Sequence, residues 1–200
     1  MNQYFINLTR KADQGDNEAI NTLIDDYDND RDEQQVFDQE LINFYLENSN
    51  NNGPYSTYYL GLMYLTGKGV TGDVEKGTQL IKKSMQLNCS QAYYLMTILH
   101  ETEICQDEEC GTYSVLLSKA IKLNNSSAYL MKALEYENTD LNEYLDHLRK
   151  AAELGNSNAW CRLGQYYQDN EDYSSAIKYY SMGDNNSHCL FNLAIMYMCG

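Results

Sequence analysis

Three stretches carry residue types at a spacing that could do chemistry. Gly67-Lys68-Gly69-Val70-Thr71-Gly72 spells G-x-G-x-x-G, the pattern that turns a strand into a helix over a pyrophosphate. The residues before it have helical rather than strand periodicity, so the glycines read as turn residues. As a phosphate loop it also fails, because Gly69 stands where Ser or Thr must meet magnesium. Asp26, Asp28, Asp30 and Asp32 alternate as calcium-loop ligands do. Counted from Asp28, however, the sixth position is Glu33 and the twelfth is Gln39, so the turn glycine and the bidentate Glu are both missing. A solvated acidic turn is the better reading. His100, Cys105 and Cys110 share one turn, but their spacing is not that of a zinc knuckle and a fourth ligand is missing. His147 and His188 stand alone and read as surface or packing histidines. No Ser/His/Asp, Cys/His or HExxH constellation has an interpretable context. The expectation is a protein with no catalytic residues, metal or cofactor.

The elements around these stretches explain them better than chemistry does. Ser56 to Tyr64 suits one helix, Gly67 and Gly69 a tight turn, and Asp73 to Leu87 a second helix antiparallel to the first. Copies of this hairpin recur. The small residue opening each first helix is Ala19, Ser56, Ala92, Ala128, Ala159 and Cys189, at spacings of 37, 36, 36, 31 and 30. Four residues on stand Leu23, Leu60, Met96, Lys132, Leu163 and Leu193; eight on stand Tyr27, Tyr64, His100, Tyr136, Tyr167 and Tyr197. Positions i, i+4 and i+8 share one helical face, so they form a packing stripe. Second helices end in a basic-small pattern followed by Gly or Asn: Lys11-Ala12 with Gly15, Lys83-Ser84-Met85 with Asn88, Lys119-Ala120-Ile121 with Asn124, Lys150-Ala151-Ala152 with Gly155, and Ser181-Met182 with Asn185. Gly and Asn tolerate the left-handed conformation of a helix C-cap.

The composite Ala-x-x-x-Leu-Gly-x-x-Tyr, Gly-x-Gly-Val, Asp-x-x-Lys-Ala, Lys-Ala-Ala-x-x-Gly-x-x-x-Ala resembles the Sel-one-like repeat, a relative of the tetratricopeptide repeat. The second copy is nearly complete. The first replaces the glycine turn with Asp28 to Asp32 and is followed by a polar linker, Asn48 to Pro54. The fourth and fifth shorten their turns to Asn138–Leu141 and Gln168–Asp172. The resemblance implies an all-α, right-handed solenoid of antiparallel hairpins that acts as an adaptor. A half-repeat at 1–18, repeats at 19–55, 56–91, 92–127, 128–158 and 159–188, and a half-repeat at 189–200 would make one domain.

Composition narrows the partners. The 200 residues carry a net charge of −15 and one proline, and 43% are apolar, enough for a core. No run reaches the roughly 18 apolar residues of a membrane helix, and Met1 to Leu8 lacks a secretory pattern. An intracellular, cytoplasmic chain follows, with its six cysteines as free thiols. Acidity argues against nucleic acid and favours a basic partner, although an acidic surface also serves solubility.

In such repeats the first helices line the concave side. Offsets +2 and +6 are therefore groove candidates: Tyr58 and Leu62, Tyr94 and Ile98, Leu130 and Leu134, Cys161 and Gln165, Phe191 and Ile195. The competing reading of offset +2 is packing between neighbouring repeats. The function expected is a non-catalytic protein-interaction scaffold that binds a protein or peptide. The alternatives are a regulatory subunit of an enzyme complex, a self-assembling structural protein, and a truncated or decaying paralogue. Residues 189 to 200 open a sixth repeat without its second helix, so a cut reading frame, or self-association through that half-repeat, is expected.

Overall fold

The computed structural model describes residues 2–28, 39–101, 111–184 and 186–199. Helices run through them without strands: α1 (Asn2–Asp13), α2 (Asn17–Asp28), α3 (Gln39–Asn50), α4 (Pro54–Thr66), α5 (Val74–Gln86), α6 (Ser90–Glu101), α7 (Tyr113–Lys122), α8 (Ser126–Tyr136), α9 (Leu141–Glu153), α10 (Ser157–Asp169), α11 (Tyr173–Met182) and α12 (Ser187–Cys199). They form two compact units, Met1–Asn125 and Ser126–Gly200.

In the first unit the α4–α5 hairpin shows why the repeat motif has its residues. Gly67 ends α4 at φ 71°, left-handed, and its N–H reaches the Met63 carbonyl at 2.9 Å. Asp73 then caps α5 by accepting the Lys76 N–H at 3.0 Å, while its own N–H binds the Tyr64 carbonyl at 2.8 Å. The helices cross where a Cβ on Gly61 would lie 2.7 Å from Ile81 Cδ1 and 3.2 Å from the Gly77 carbonyl, so Ile81 would have to shift to admit one. Lys76 sits 4.0 Å over the Tyr64 ring and donates to its hydroxyl at 2.7 Å. Behind this hairpin Leu23, Leu41, Tyr45, Tyr58, Met63, Ile81 and Met96 make the core.

The second unit repeats the scheme with α8–α9 and α10–α11, and α12 packs on α10 and α11. In α9, Tyr144, Leu145, Leu148, Ala151 and Ala152 are the buried positions, one apolar stripe at helical period. Asp140, Asn156 and Asp172 cap α9, α10 and α11. Asn88, Asn124 and Gly155 adopt φ 63°, 56° and 91°, the left-handed caps their motif predicts. Asn185 lies outside the described residues.

Three expectations need correction. Asn48 to Asn50 are not linker but the last turn of α3. The Asn48 side chain donates to the Phe44 carbonyl at 2.8 Å, and Lys83 Nζ caps the Ser49 carbonyl at 2.7 Å, which together prolong the helix. Asp26 is not in a solvated turn. It is buried on α2, where the Tyr4 hydroxyl donates to it at 3.0 Å, while Asp30 and Asp32 lie outside the described residues. Finally, not all thiols are free. Cys161 and Cys189 form a disulfide across α10 and α12, with Cα atoms 5.1 Å apart. Cys89 is free, and complete burial pushes its thiol up to about 12, so it is inert at neutral pH.

Asp13 does something no local pattern announces. From the end of α1 it accepts the N–H groups of Tyr55 and Ser56 at 2.7 and 3.1 Å and the Ser56 hydroxyl. Gly53, the N-cap of α4, makes no side-chain cap itself, so Asp13 caps that helix from 42 residues away. Burial raises the Asp13 carboxyl above its ordinary value, against the lowering effect of these bonds. A carboxyl raised on folding favours the native state most while protonated, below about pH 3.9. That contribution is lost as pH rises through the folded value. Wild type should therefore lose stability relative to Asp13→Asn as pH climbs from about 3.5 to neutrality. Paired urea melts across that range check this; a gap widening in favour of wild type would mean the anion is the preferred native form.

Candidate functional site

The first helices carry the proposed row of surface positions, and their burial grades along each helix. On α4, Tyr58 is 2% exposed, its ring edge-on to Tyr59 at 5.2 Å, and Tyr59 stacks on Tyr45 at 5.5 Å. Tyr58 is core and lines no open surface, whereas Leu62 is half-buried. On α6, Tyr94 and Ile98 are both half-buried. On α8, Leu130 is half-buried and Leu134 is 38% exposed. On α10, Cys161 is buried in the disulfide and Gln165 is exposed. On α12, Phe191 and Ile195 are 64% and 38% exposed.

On α10 the disulfide accounts for the burial. It joins offset +2 of α10 to the opening residue of α12, so the Cys161 side chain reaches toward the next first helix. Tyr58 holds the same offset in α4 and is also buried. Offset +6, one turn on, is left nearer solvent on α4, α8 and α10.

The +8 aromatics of α4, α8 and α10 face the other way, onto the second helix of their own hairpin. Tyr64 meets Lys76; Tyr136 lies 5.6 Å from His147; Tyr167 stacks on Tyr179 at 5.0 Å. His147 also bonds the Glu143 carbonyl through Nδ1 at 2.9 Å, which makes it a packing residue. His188 is exposed at the start of α12. His100 is half-buried near the end of α6, and Cys105 and Cys110 lie outside the described residues. Among the described residues no group of three or more His, Cys, Asp and Glu is placed to hold a metal. Gly67 to Gly72 follow a helix, α4, rather than a strand, which is the wrong frame for a dinucleotide. Among the described residues no helix is long and apolar enough to cross a membrane.

The fold is that of the Sel1 repeat. A Sel1 repeat protein from Oxalobacter formigenes superposes with a TM-score of 0.60 at 22% identity, over 86% of this chain and 73% of that one. The immunity protein Pa5087 of Pseudomonas aeruginosa matches at 0.60 and 23% identity, over 74% of this chain and 58% of its own. A protective antigen with an SLR fold from uropathogenic Escherichia coli, c5321, matches at 0.59 and 20%, over 93% of this chain and 42% of its own. This chain thus spans less than two thirds of the latter two. No family model and no curated protein matches the sequence.

Proposed function

We propose that the chain is a non-catalytic protein-interaction scaffold whose first helices take a protein or peptide partner. The observation that carries this is that, within each unit taken by itself, apolar +6 side chains of the first helices are half-buried or exposed. These are Leu62 and Ile98 in the first unit and Leu134 in the second, with Tyr94, Leu130 and Gln165 beside them. Side chains placed at one offset of a repeat give a regularly spaced set of apolar anchors, the arrangement that binds an extended or helical segment. That solved structures of this fold include immunity proteins supports a binding role. The net charge of −15 favours a basic partner. The Cys161–Cys189 bond favours maturation where thiols oxidise, against the intracellular location expected from free thiols. A second reading, self-association through the C-terminal half-repeat, draws on α12, where Phe191, Tyr197 and Met198 are 64%, 67% and 85% exposed.

The test is a combined Leu62→Ser, Ile98→Ser, Leu134→Ser variant used as bait beside wild type. We expect it to keep its helical circular dichroism, to lose about 1 kcal/mol at each half-buried site, and to capture none of the partners that wild type enriches. Equal capture by both baits would remove these side chains from the binding face.

A further inference from the structure

We infer that the second unit carries a separate docking cleft, between α9 and α11, for an acidic peptide segment bearing an aromatic or large apolar side chain. The cleft encloses about 230 Å³ and is lined by Arg149, Glu153, Trp160, Lys178, Tyr179 and Met182. Its aromatic wall is a stack: Trp160 lies on Tyr179 at 5.9 Å and Tyr179 on Tyr167 at 5.0 Å. Met182 adds a flexible apolar side chain, 48% exposed. Trp, Tyr, Met and Arg are the residue types that concentrate at the centres of protein interfaces, and the chain's single tryptophan is here. Apart from Trp160 at offset +1 of α10, this surface uses second-helix residues and none of the +6 side chains, so it does not depend on that row binding anything.

Charge selects the occupant. Between residues 126 and 200 there are five Lys and Arg against ten Asp and Glu, and two of those five cations line this one cleft. Arg149 is paired with Asp146 at 3.0 Å. Lys178 makes no ion pair among the described residues and lies 6.0 Å from the Tyr179 ring. Glu153, which also lines the cleft, is paired with Lys150 at 3.3 Å. Around the cleft Arg149, Lys150 and Lys178 stand against Asp146 and Glu153, a small positive excess in an otherwise acidic unit, so a cationic ligand, which an aromatic wall would otherwise attract, is not favoured here. An acidic segment meets the cations as partners while its apolar side chain covers Trp160 and Tyr179.

Because Trp160 is the only tryptophan, its emission reports on this cleft alone. The probe is a hexapeptide of Asp and Glu around one Phe, with the same peptide carrying Lys for the acids, or Ser for the Phe, as comparisons. The expected result is a saturable change in Trp160 emission with the acidic Phe peptide, weakened by salt. Both comparison peptides, and an Arg149→Glu, Lys178→Glu variant, should bind at least about tenfold more weakly. If that double variant loses helix, Lys178→Glu alone, at an exposed position, carries the comparison. No saturable change, an equal response to the Lys peptide, or undiminished binding by the charge-reversed variant would overturn the proposal. So would emission that shifts with protein concentration alone, since the cleft would then be taken by a second copy.

Discussion

Gly164→Ala should destabilise the second unit by about 2–3 kcal/mol, although alanine is the better helix former by up to about 1 kcal/mol. The sign is decided by one contact. A Cβ on Gly164 would stand 2.5 Å from Cδ1 of Tyr180 and 2.6 Å from Cε1. That ring is fully buried, and its hydroxyl donates to Gln168 Oε1 at 2.8 Å, so it cannot swing aside without losing both packing and a bond. Overpacking of this kind is relieved only by moving α11 away from α10. Tyr180→Ala alone should cost about 3–5 kcal/mol by leaving a cavity. The double variant should then cost clearly less than the sum, because the new methyl occupies space the ring has left. Urea melts of the four proteins complete the cycle. Gly164→Ala stabilising by about 1 kcal/mol, as at an unpacked helical glycine, would mean that α10 and α11 do not approach at this residue.

Removing the Cys161–Cys189 bond should cost roughly 3–4 kcal/mol. The two residues are 28 apart in sequence, and closing a loop of that length in the unfolded chain accounts for an effect of this size. The loss should fall on α12, because the bond ties that helix to α10 and because Phe191, Tyr197 and Met198 on it contribute little burial. Cys161→Ala with Cys189→Ala, or wild type under a reducing phosphine, should melt earlier and exchange amide hydrogens faster over α12 than elsewhere in the second unit. Peptide mapping without reductant should recover the Cys161–Cys189 pair. Unchanged melting on reduction, or no crosslinked peptide, would contradict this.

Much of the fold is written locally. Leu60-Gly61 and Tyr64 in α4, Gly67 in the turn, Asp73 and Lys76 at the head of α5 and Asn88 at its end each act within one hairpin, and their spacing reveals them. So do Leu23, Leu60, Met96 and Leu163 at offset +4, which are all buried. What spacing did not reveal depends on how one repeat stacks on another. Asp13 reaches the head of α4 across 42 residues, and only the packing of α1 on α4 places it there. Cys161 and Cys189 meet because offset +2 of α10 faces α12, the next first helix; Tyr58, at the same offset of α4, is also buried and so is out of the groove. Asn48 to Asn50 look like linker because asparagine and serine favour turns, yet the Lys83 contact from a later helix holds them helical. The Trp160 cleft has no motif at all. Its side chains come from three helices, at positions that are not equivalent in the repeat.

The proposed scaffold role is tested most directly by hydrogen exchange on the chain alone and in complex with the protein it captures. The account predicts new protection along α4 and α6 in the first unit and α8 and α10 in the second, around Leu62, Ile98, Leu134 and Gln165. The Leu62→Ser, Ile98→Ser, Leu134→Ser variant should gain none. Protection confined to α5, α7, α9 and α11, or to the turns, with the first helices exchanging as in the free chain, would contradict it.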